Sequence, residues 1–405
     1  MWKSFNVLRN RNYCLYWLAE FPYYFSMFSS RLAEGWVVYD LTQSAFLLGL
    51  MTAITGVPQV IIALYGGVLA DRVKKKQLLF YVQIILGFDA FFLANVMVMG
   101  VVEYWHVVVY AVVWRTAMTL GLPARLAFIS EITSRSEFSD AYALYYVALN
   151  LLGVIGPALA GGLVVQIGVS GVLMVIAGCQ WSFNAFLFQI TPKSSDSHND
   201  KTVYHERSLK KDILELLRFA SHDIMFLTLI SVKIALAFLA IPAITLMPAF
   251  STEVLGMDAV GFGILQAAGG VGSFLGSLMI TSKSTSQRKP LLLLITCIFR
   301  GAALLLFALS STFSLTLLIR LVIGVTTSTY VMTNSVLFQL SAADDIRGRI
   351  MGLYMISFDF IGSIPLSILA EEVGVATAIG LGGTLLLGVS MILLLFIPTF
   401  RDRRI

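Results

Sequence analysis

Ionisable side chains interrupt the long apolar stretches of this sequence, and their types limit the chemistry they can perform. An ion at the middle of a bilayer costs about 2.5–3.5 kcal/mol on insertion scales, so each such residue is retained for pairing or for function. Carboxyl groups near guanidinium groups can bind and release protons, which predicts proton transfer. The residues are Glu20, Arg31, Glu34, Asp89, Arg115, Arg125, Lys233, Arg300, Arg320 and Asp359.

The first apolar stretch holds the most informative charges. At about 100° per residue, Glu20, Tyr24, Met27, Arg31 and Glu34 lie on one stripe of a helix. A charged stripe cannot face lipid, so we expect it to line a water-filled cavity or to pair with another helix.

Glu20 and Arg115 form the predicted proton-coupling pair. A carboxyl in a low-dielectric site changes its proton affinity when a cation approaches, so a substrate that disturbs the pair can release the proton. The alternative is a static ion pair that stabilises the N-terminal half. Asp359 is the second coupling candidate, for which a structural pair with Lys233 is the alternative.

The remaining charges are expected to have local roles. Arg31 and Glu34 lie three residues apart and are expected to pair as an outer gate, and Glu34 is also a candidate for proton coupling. Arg125 is expected to extend towards Glu131 at the membrane edge. Asp89 is expected to be a packing partner in a peripheral span.

Aromatic and amide side chains accompany the charges, which predicts a cavity with a mixed aromatic and basic lining. Such a lining suits an amphiphilic substrate, including an anionic or catecholic one. Ordinary packing and interfacial aromatics are the alternative. The predicted lining is Tyr24, Met27, Arg31, Tyr146, Asn150, Lys233, Arg320 and Asn334.

Membrane-spanning helices are needed to position these residues. Hydrophobic residues make up 58% of the 405-residue chain and charged residues 13%, whereas soluble domains carry about 25% charged residues. Runs of about 20 apolar residues are long enough to cross the hydrocarbon layer. We predict an all-α membrane protein with twelve spans near residues 12–39, 45–70, 77–101, 104–130, 139–166, 169–190, 222–250, 258–281, 290–311, 313–340, 348–371 and 375–398.

Lysines and arginines outside these spans lie in the termini and in the loops of one side. The positive-inside rule therefore predicts that both termini are cytoplasmic. Topology also explains the net charge of +5, which disfavours nucleic acid as a partner. The predicted domains are an N-terminal six-helix bundle at 1–190, a cytoplasmic linker with an amphipathic helix at 191–221 and a C-terminal six-helix bundle at 222–405.

Several other chemistries are disfavoured. Cys14, Cys179 and Cys297 form no Cys/His cluster, so we predict neither disulfide bonds nor a metal site. The sequence contains no P-loop, which disfavours ATP as the direct driver. It also contains no nucleophile or acid–base cluster at a membrane face, so we predict no enzyme activity and no cofactor.

A glycine-rich, charged segment follows the second span. It reads Gly66-Gly-Val-Leu-Ala-Asp-Arg-Val-Lys-Lys-Lys76 and resembles the signature of the major facilitator superfamily. In that superfamily the acid of the motif contacts the N-terminus of span 11 and latches the inward-closed state. The resemblance assigns this latch to Gly67, Asp71, Arg72 and Arg347.

Span 5 contains a second motif, Gly153-Val-Ile-Gly-Pro-Ala-Leu-Ala-Gly-Gly162. It resembles the antiporter motif of exporters in the same superfamily, departing from it at Ala160, and adds Gly156 and Pro157 to the latch. A generic glycine-rich packing face is the alternative. Arg115 resembles the proton-coupling arginine of these antiporters, although Thr119 stands where a glycine is expected.

Segments 35–45, 122–132 and 347–354 resemble the enterobactin-exporter and macrolide-efflux branch. The branch implies two pseudo-symmetric six-helix bundles with spans 1, 4, 7 and 10 around a cavity. It implies a monomer of the bacterial inner membrane that exports a siderophore- or drug-like molecule by proton antiport and alternating access. Its expected partners are the substrate, protons and membrane lipids. The alternatives are an importer or lysolipid flippase on the same fold, and a non-transporting receptor or scaffold.

Overall fold

The computed structural model describes residues 2–191, 224–282, 289–341 and 359–397. Within these ranges the chain is helical and contains no strand. A short 3-10 helix, Trp2–Arg9, leads into α1. The helices are α1 Arg11–Thr42, α2 Ala45–Arg72, α3 Lys75–Val98, α4 Tyr104–Ile132, α5 Phe138–Gln189, α6 Ile224–Leu239, α7 Pro242–Thr245, α8 Met247–Glu253, α9 Ala259–Ser282, α10 Lys289–Leu309, α11 Phe313–Ser341, α12 Asp359–Val373 and α13 Val375–Phe396.

The twelve predicted spans are confirmed. Nine helices within the described ranges are long and apolar enough to cross a membrane. One of them, α5, has 52 residues, about 78 Å at 1.5 Å per residue, which is more than twice the hydrocarbon thickness. Gly168 divides it into two spans with φ 70° and ψ 171°, a conformation that only glycine adopts without strain. The charged α1 and the partly described α12 complete the twelve.

The seventh span differs from the single helix expected at 222–250. It is broken into α6, α7 and α8, with Pro242 and Pro248 in the first turns of α7 and α8. Proline lacks the backbone N–H and clashes with the preceding turn, so each proline ends one helix and begins the next. The break places α7 and α8 at the central cavity.

Packing contacts divide the helices into two sets. Helices α1 to α5 pack on one another, as do α6 to α13, and the two sets meet mainly where α5 crosses α9 and where α2 crosses α12. The predicted linker lies outside the described residues beyond Thr191, so the domain boundaries stay a prediction.

The ends of the helices form two opposite faces of the bundle. The terminal face carries the start of α1, where the Asn10 side chain donates to the Ile132 carbonyl at 2.9 Å. The opposite face carries turns with positive φ at Gln43, Gly100, Gly256 and Gly374. The prediction that the terminal face is cytoplasmic stays a prediction.

Glycines allow the close crossing of α5 and α9. A methyl group at Gly263 would lie 2.9 Å from the Gly161 Cα and from the Pro157 carbonyl oxygen. Both neighbours are backbone atoms, which cannot turn aside as a side chain can. The two helices therefore approach through paired glycines, as in small-residue crossings of membrane helices.

We expect Gly263→Ala to destabilise the folded protein by about 1–3 kcal/mol, because the added methyl overpacks this crossing. Thermal unfolding of purified protein in detergent measures the change. Gly162→Ala is the matched control, since nothing lies within 4 Å of its added methyl. Equal unfolding temperatures for the two variants would contradict the crossing as described.

Candidate substrate cavity and proton site

A central cavity of about 1140 Å³ lies between the two sets of helices. Known ligand pockets of about 300–1,000 Å³ hold drug-sized molecules, so the cavity has room for a small molecule of at least that size. Its described lining combines apolar side chains with Arg31, Glu34, Arg115, Asn150, Arg300 and Arg320.

Positive charge dominates this lining. Arg31 of α1 and Arg115 of α4 face Arg300 of α10 and Arg320 of α11, and Glu34 is the carboxylate among the described lining residues. Guanidinium groups bind carboxylates and other planar anions through paired hydrogen bonds. The arrangement therefore favours a solute with more than one acidic group.

Glu34 and Arg115 form a partly buried ion pair at the cavity wall. The Arg115 Nη2 and Glu34 Oε2 atoms are 3.5 Å apart, with 26% of the Arg115 side chain and 2% of the Glu34 side chain exposed. The Ser30 hydroxyl donates to Glu34 Oε1 at 2.8 Å. The expected Arg31–Glu34 gate pair is therefore wrong, because Glu34 turns towards α4 while Arg31 is exposed to the cavity.

Glu20 pairs with Arg125 rather than with Arg115. The Arg125 Nη1 and Glu20 Oε1 atoms are 2.8 Å apart and both side chains are buried. The Arg125 guanidinium lies 3.3 Å from the centre of the Tyr23 ring and 4.9 Å from that of Phe183. The expectation that Arg125 extends towards Glu131 is also wrong, because the guanidinium is enclosed between α1, α4 and α5.

Depth in the membrane explains these pairings. Glu20 and Arg125 lie about 14 and 10 Å along their helices from the terminal face, at 1.5 Å per residue. Glu34 and Arg115 lie about 12 and 16 Å from the opposite face by the same measure. The depth of each charge, counted in residues from the ends of its span, identifies the correct ion-pair partners. The shared face of α1 does not identify them, because it says nothing about which charges on α4 lie at the same depth.

The α1 stripe is rotated relative to the prediction. Phe28, Arg31, Glu34 and Gly35 line the cavity, whereas Tyr24 is buried with its ring 5.8 Å from the Tyr145 ring. Tyr24 and Met27 are absent from the described lining.

Other predicted lining residues are divided between the cavity and its surroundings. Asn150 lines the cavity, whereas Tyr146 is exposed outside the described lining. Asn334 is fully buried and donates to the Tyr330 hydroxyl at 2.9 Å, and it is Tyr330 that lines the cavity. Lys233 is partly buried on α6, also outside the described lining.

The C-terminal set contributes two arginines to the cavity, and a polar side chain holds each of them. Arg320 donates to Gln266 Oε1 at 3.2 Å, and Arg300 donates to Thr327 Oγ1 at 2.7 Å. The glycine at 269 leaves the space that the Arg320 guanidinium occupies. Arg300 lies on the ninth span, outside the spans 1, 4, 7 and 10 that the resemblance places around the cavity, and it lines the cavity nevertheless.

Comparison with known proteins decides the family. The sequence model of the family described as "Transmembrane secretion effector" matches residues 3–403. The chain belongs to this major facilitator family. It is 20% identical to the staphyloferrin A transporter of Staphylococcus aureus, covering 93% of this chain and 92% of the relative. It is 26% identical to the enterobactin exporter EntS of Shigella boydii, covering 88% and 85%.

Solved structures agree on the fold. A bacterial homologue of the human lysosomal transporter Spinster, in an inward-facing and unoccupied conformation, matches with a TM-score of 0.69 and 14% identity, covering 97% of this chain and 96% of the other. The peptide transporter POT matches with a TM-score of 0.75 and 13% identity, covering 98% and 96%. Together with the family match over residues 3–403, the fold makes the protein a multi-pass membrane transporter rather than an enzyme.

The predicted coupling and latch residues lie partly outside what the structure describes. The surroundings of Gly67, Asp71, Arg72 and Asp359 and the whole of Arg347 fall there, so their roles and the Lys233–Asp359 pair stay predictions. Gly156 packs against Phe28, since a methyl added at Gly156 would lie 3.4 Å from the Phe28 Cβ, and Pro157 lines the cavity of the transporter.

Contacts at the opposite face close the transporter there. Glu371, near the end of α12, accepts from the Phe46 backbone N–H at 3.0 Å and from the Ser44 hydroxyl at 3.1 Å. A carboxylate at the N-terminus of α2 is stabilised by the unpaired amides and the helix dipole. The Tyr39 hydroxyl donates to Glu253 across the same face. These bonds tie α1 and α2 to the C-terminal set.

We expect Glu371→Gln to raise the ratio of open to closed molecules at this face about fivefold. The reason is that removing the charge weakens the closing contact by about 1 kcal/mol. Spin labels at Asp40 and Val373 report the separation of the two sets by double electron–electron resonance. The control is Glu372→Gln, an adjacent exposed carboxyl. Identical distance distributions for both variants would exclude a closing role for Glu371.

Proposed function

We propose that this transporter exports a small, anionic amphiphile of the siderophore type in exchange for protons. The observation that carries the proposal is the central cavity, in which four arginines and one carboxylate line the described wall. The proposed mechanism is alternating access by a monomer in a bacterial inner membrane. Export in this way requires that the terminal face lies on the cytoplasmic side.

The cavity chemistry supports an anionic cargo. Acidic groups of the cargo pair with Arg31, Arg300 and Arg320, while Phe28 and Phe262 offer apolar surface to its aromatic or aliphatic parts. The staphyloferrin A transporter and the enterobactin exporter, both relatives across most of their length, are named for siderophores. Siderophore-like compounds are therefore the first cargo to test.

Glu34 is the proposed exchange site. Its carboxylate either binds a proton or accepts a hydrogen bond from a donor group of the cargo, such as a hydroxyl. Binding of the proton and binding of the cargo therefore exclude each other. Arg115 Nη2 lies 3.5 Å from Glu34 Oε2, so cargo that reaches Glu34 also meets this guanidinium. The proposal moves the principal proton carrier from Glu20 to Glu34, because Glu20 is sealed in the protein interior while Glu34 borders the cavity.

Inverted membrane vesicles test direction and cargo together. With an imposed proton gradient, acid inside, we expect accumulation of metal-free enterobactin or staphyloferrin A, reduced about tenfold by Arg320→Gln, which removes one charged pairing of the cargo. Arg11→Gln changes an exposed arginine and serves as the matched control. Accumulation only in right-side-out vesicles would make the protein an importer.

A further inference from the structure

The crossing of α5 and α9 covers one side of the central cavity. A methyl group at Gly263 would lie 2.9 Å from the Gly161 Cα, and one at Gly270 would lie 3.0 Å from the Val154 Cα. Gly153 and Gly270 stand at the end of this crossing that is nearer the terminal face, and both line the cavity. What lies beyond these two glycines decides how the cavity is reached from the terminal face.

Towards the terminal face, the side of α5 that packs on α9 becomes exposed. At about 100° per residue, Tyr146 lies about 20° around the helix axis from both Gly153 and Pro157. Pro157 is buried, whereas Tyr146 is 41% exposed. Ile155 is an exposed apolar residue and lies about 180° from Tyr146 around the same axis. Ile155 therefore faces lipid, and Tyr146 faces the C-terminal set of helices rather than lipid, unlike an ordinary interfacial aromatic.

Helix α9 changes in the same way. Phe274 follows Gly270 by four residues and is 42% exposed, and its neighbour Ser273 lines the cavity. Four residues correspond to about 40° around a helix axis and about 6 Å along it. The Phe274 ring therefore stays near the side of α9 that packs on α5. Among the described residues, Tyr146 and Phe274 flank an opening between the two helices that leads from the terminal face to the cavity.

A second tyrosine extends the α5 side of this opening. Tyr142 precedes Tyr146 by one turn, with the ring centres 5.2 Å apart in an edge-to-face arrangement and the hydroxyl oxygens 3.4 Å apart. One turn further inwards, the Asn150 side chain donates to the Tyr146 carbonyl at 2.8 Å and lines the cavity. Tyr142, Tyr146 and Phe274 are called the aromatic cleft. Its rings follow one another from the terminal face to the cavity edge.

We propose that the aromatic cleft binds the aromatic rings of the cargo before its acidic groups reach the cavity arginines. The proposal rests on the export of an anionic amphiphile proposed above, and it narrows the cargo to acids that carry aromatic rings, such as catechols. An exposed ring binds another ring by offset stacking or by edge-to-face contact. The tyrosine hydroxyls also exchange hydrogen bonds with catechol hydroxyls. An acid without rings gains nothing from the cleft, so the cleft selects among acids that the arginines bind alike.

Equilibrium binding to the purified protein tests the cleft without any transport. We expect Tyr146→Leu to weaken binding of metal-free enterobactin, which carries catechol rings, about fivefold. Binding of citrate, a polyacid without rings, should be unchanged. Tyr146→Phe keeps the ring and should restore most of the affinity for enterobactin. Tyr81→Leu removes an exposed tyrosine of α3 and should bind both probes as the wild type does.

Thiol labelling in nanodiscs tests whether the cleft is open to water. In a variant with Cys14→Ser, Cys179→Ala and Cys297→Ala, a charged maleimide should label Tyr146→Cys and leave Ile155→Cys unlabelled. Failure to label Tyr146→Cys, or equal labelling at both positions, would overturn the proposal. Lipid rather than cargo would then occupy the space beside Tyr146.

The binding results separate this proposal from the proposed function. Equal losses of enterobactin and citrate binding in Tyr146→Leu, or no loss of either, would overturn the aromatic cleft while siderophore export by the wild type would stand. Dihydroxybenzoate, a single catechol ring with a carboxylate, is the further probe. If its binding depends on Tyr146 but the wild type exports no siderophore, the cleft stands and the proposed function fails. A wild-type protein that binds none of the three probes would refute both.

Discussion

Arg125→Ala should destabilise the folded transporter by about 3–5 kcal/mol, the cost of breaking a buried ion pair by removing one partner. Glu20 would be left as an enclosed carboxylate whose cation, 2.8 Å away in the native protein, is gone. The Tyr23 ring would also lose the guanidinium stacked on it. Thermal and denaturant unfolding of purified protein in detergent measure the loss.

Two further variants separate charge from packing. Arg135→Ala removes an exposed arginine shortly after α4 and should leave unfolding unchanged. The double change Glu20→Gln with Arg125→Leu should recover much of the stability, because no unpaired charge remains buried. If the double variant is as unstable as Arg125→Ala, packing rather than charge holds this site together.

Glu34→Gln should lower proton-driven export by about two orders of magnitude, the scale expected when an essential proton-transfer group is removed. Glutamine keeps the size of the side chain and can still accept from Ser30, so the fold should persist. Efflux of metal-free enterobactin in inverted vesicles measures the loss. Transport driven by a substrate gradient alone should decline much less, because glutamine can still accept a donor group of the cargo.

The matched control for Glu34 lies on the same helix. Asp40→Asn changes an exposed acid near the end of α1 and should transport normally. Glu20→Gln should affect unfolding more than coupling, the reverse of the pattern expected for Glu34→Gln. Proton-driven export that persists in Glu34→Gln and disappears in Glu20→Gln would return the coupling site to the sealed pair.

The sequence by itself determined the number of spans and the identity of the charged residues in them. Apolar runs measure the hydrocarbon thickness directly, and a charge within such a run is recognisable without knowing its neighbours. Gly168 could be placed between two spans for the same reason. The family also followed from local motifs, since those segments are contiguous in the chain.

Only the tertiary structure decided which charges meet. A helical stripe states which residues share a face, but not how far that face is rotated or which helix lies opposite it. Two arginines on α4 were therefore both available to Glu20, and their depth and the rotation of α1 selected Arg125. The pairing of Glu34 with Arg115 joins two residues that lie 81 positions apart in the sequence. The packing of helices side by side sets such contacts, and a pattern within one segment of the sequence does not encode that packing.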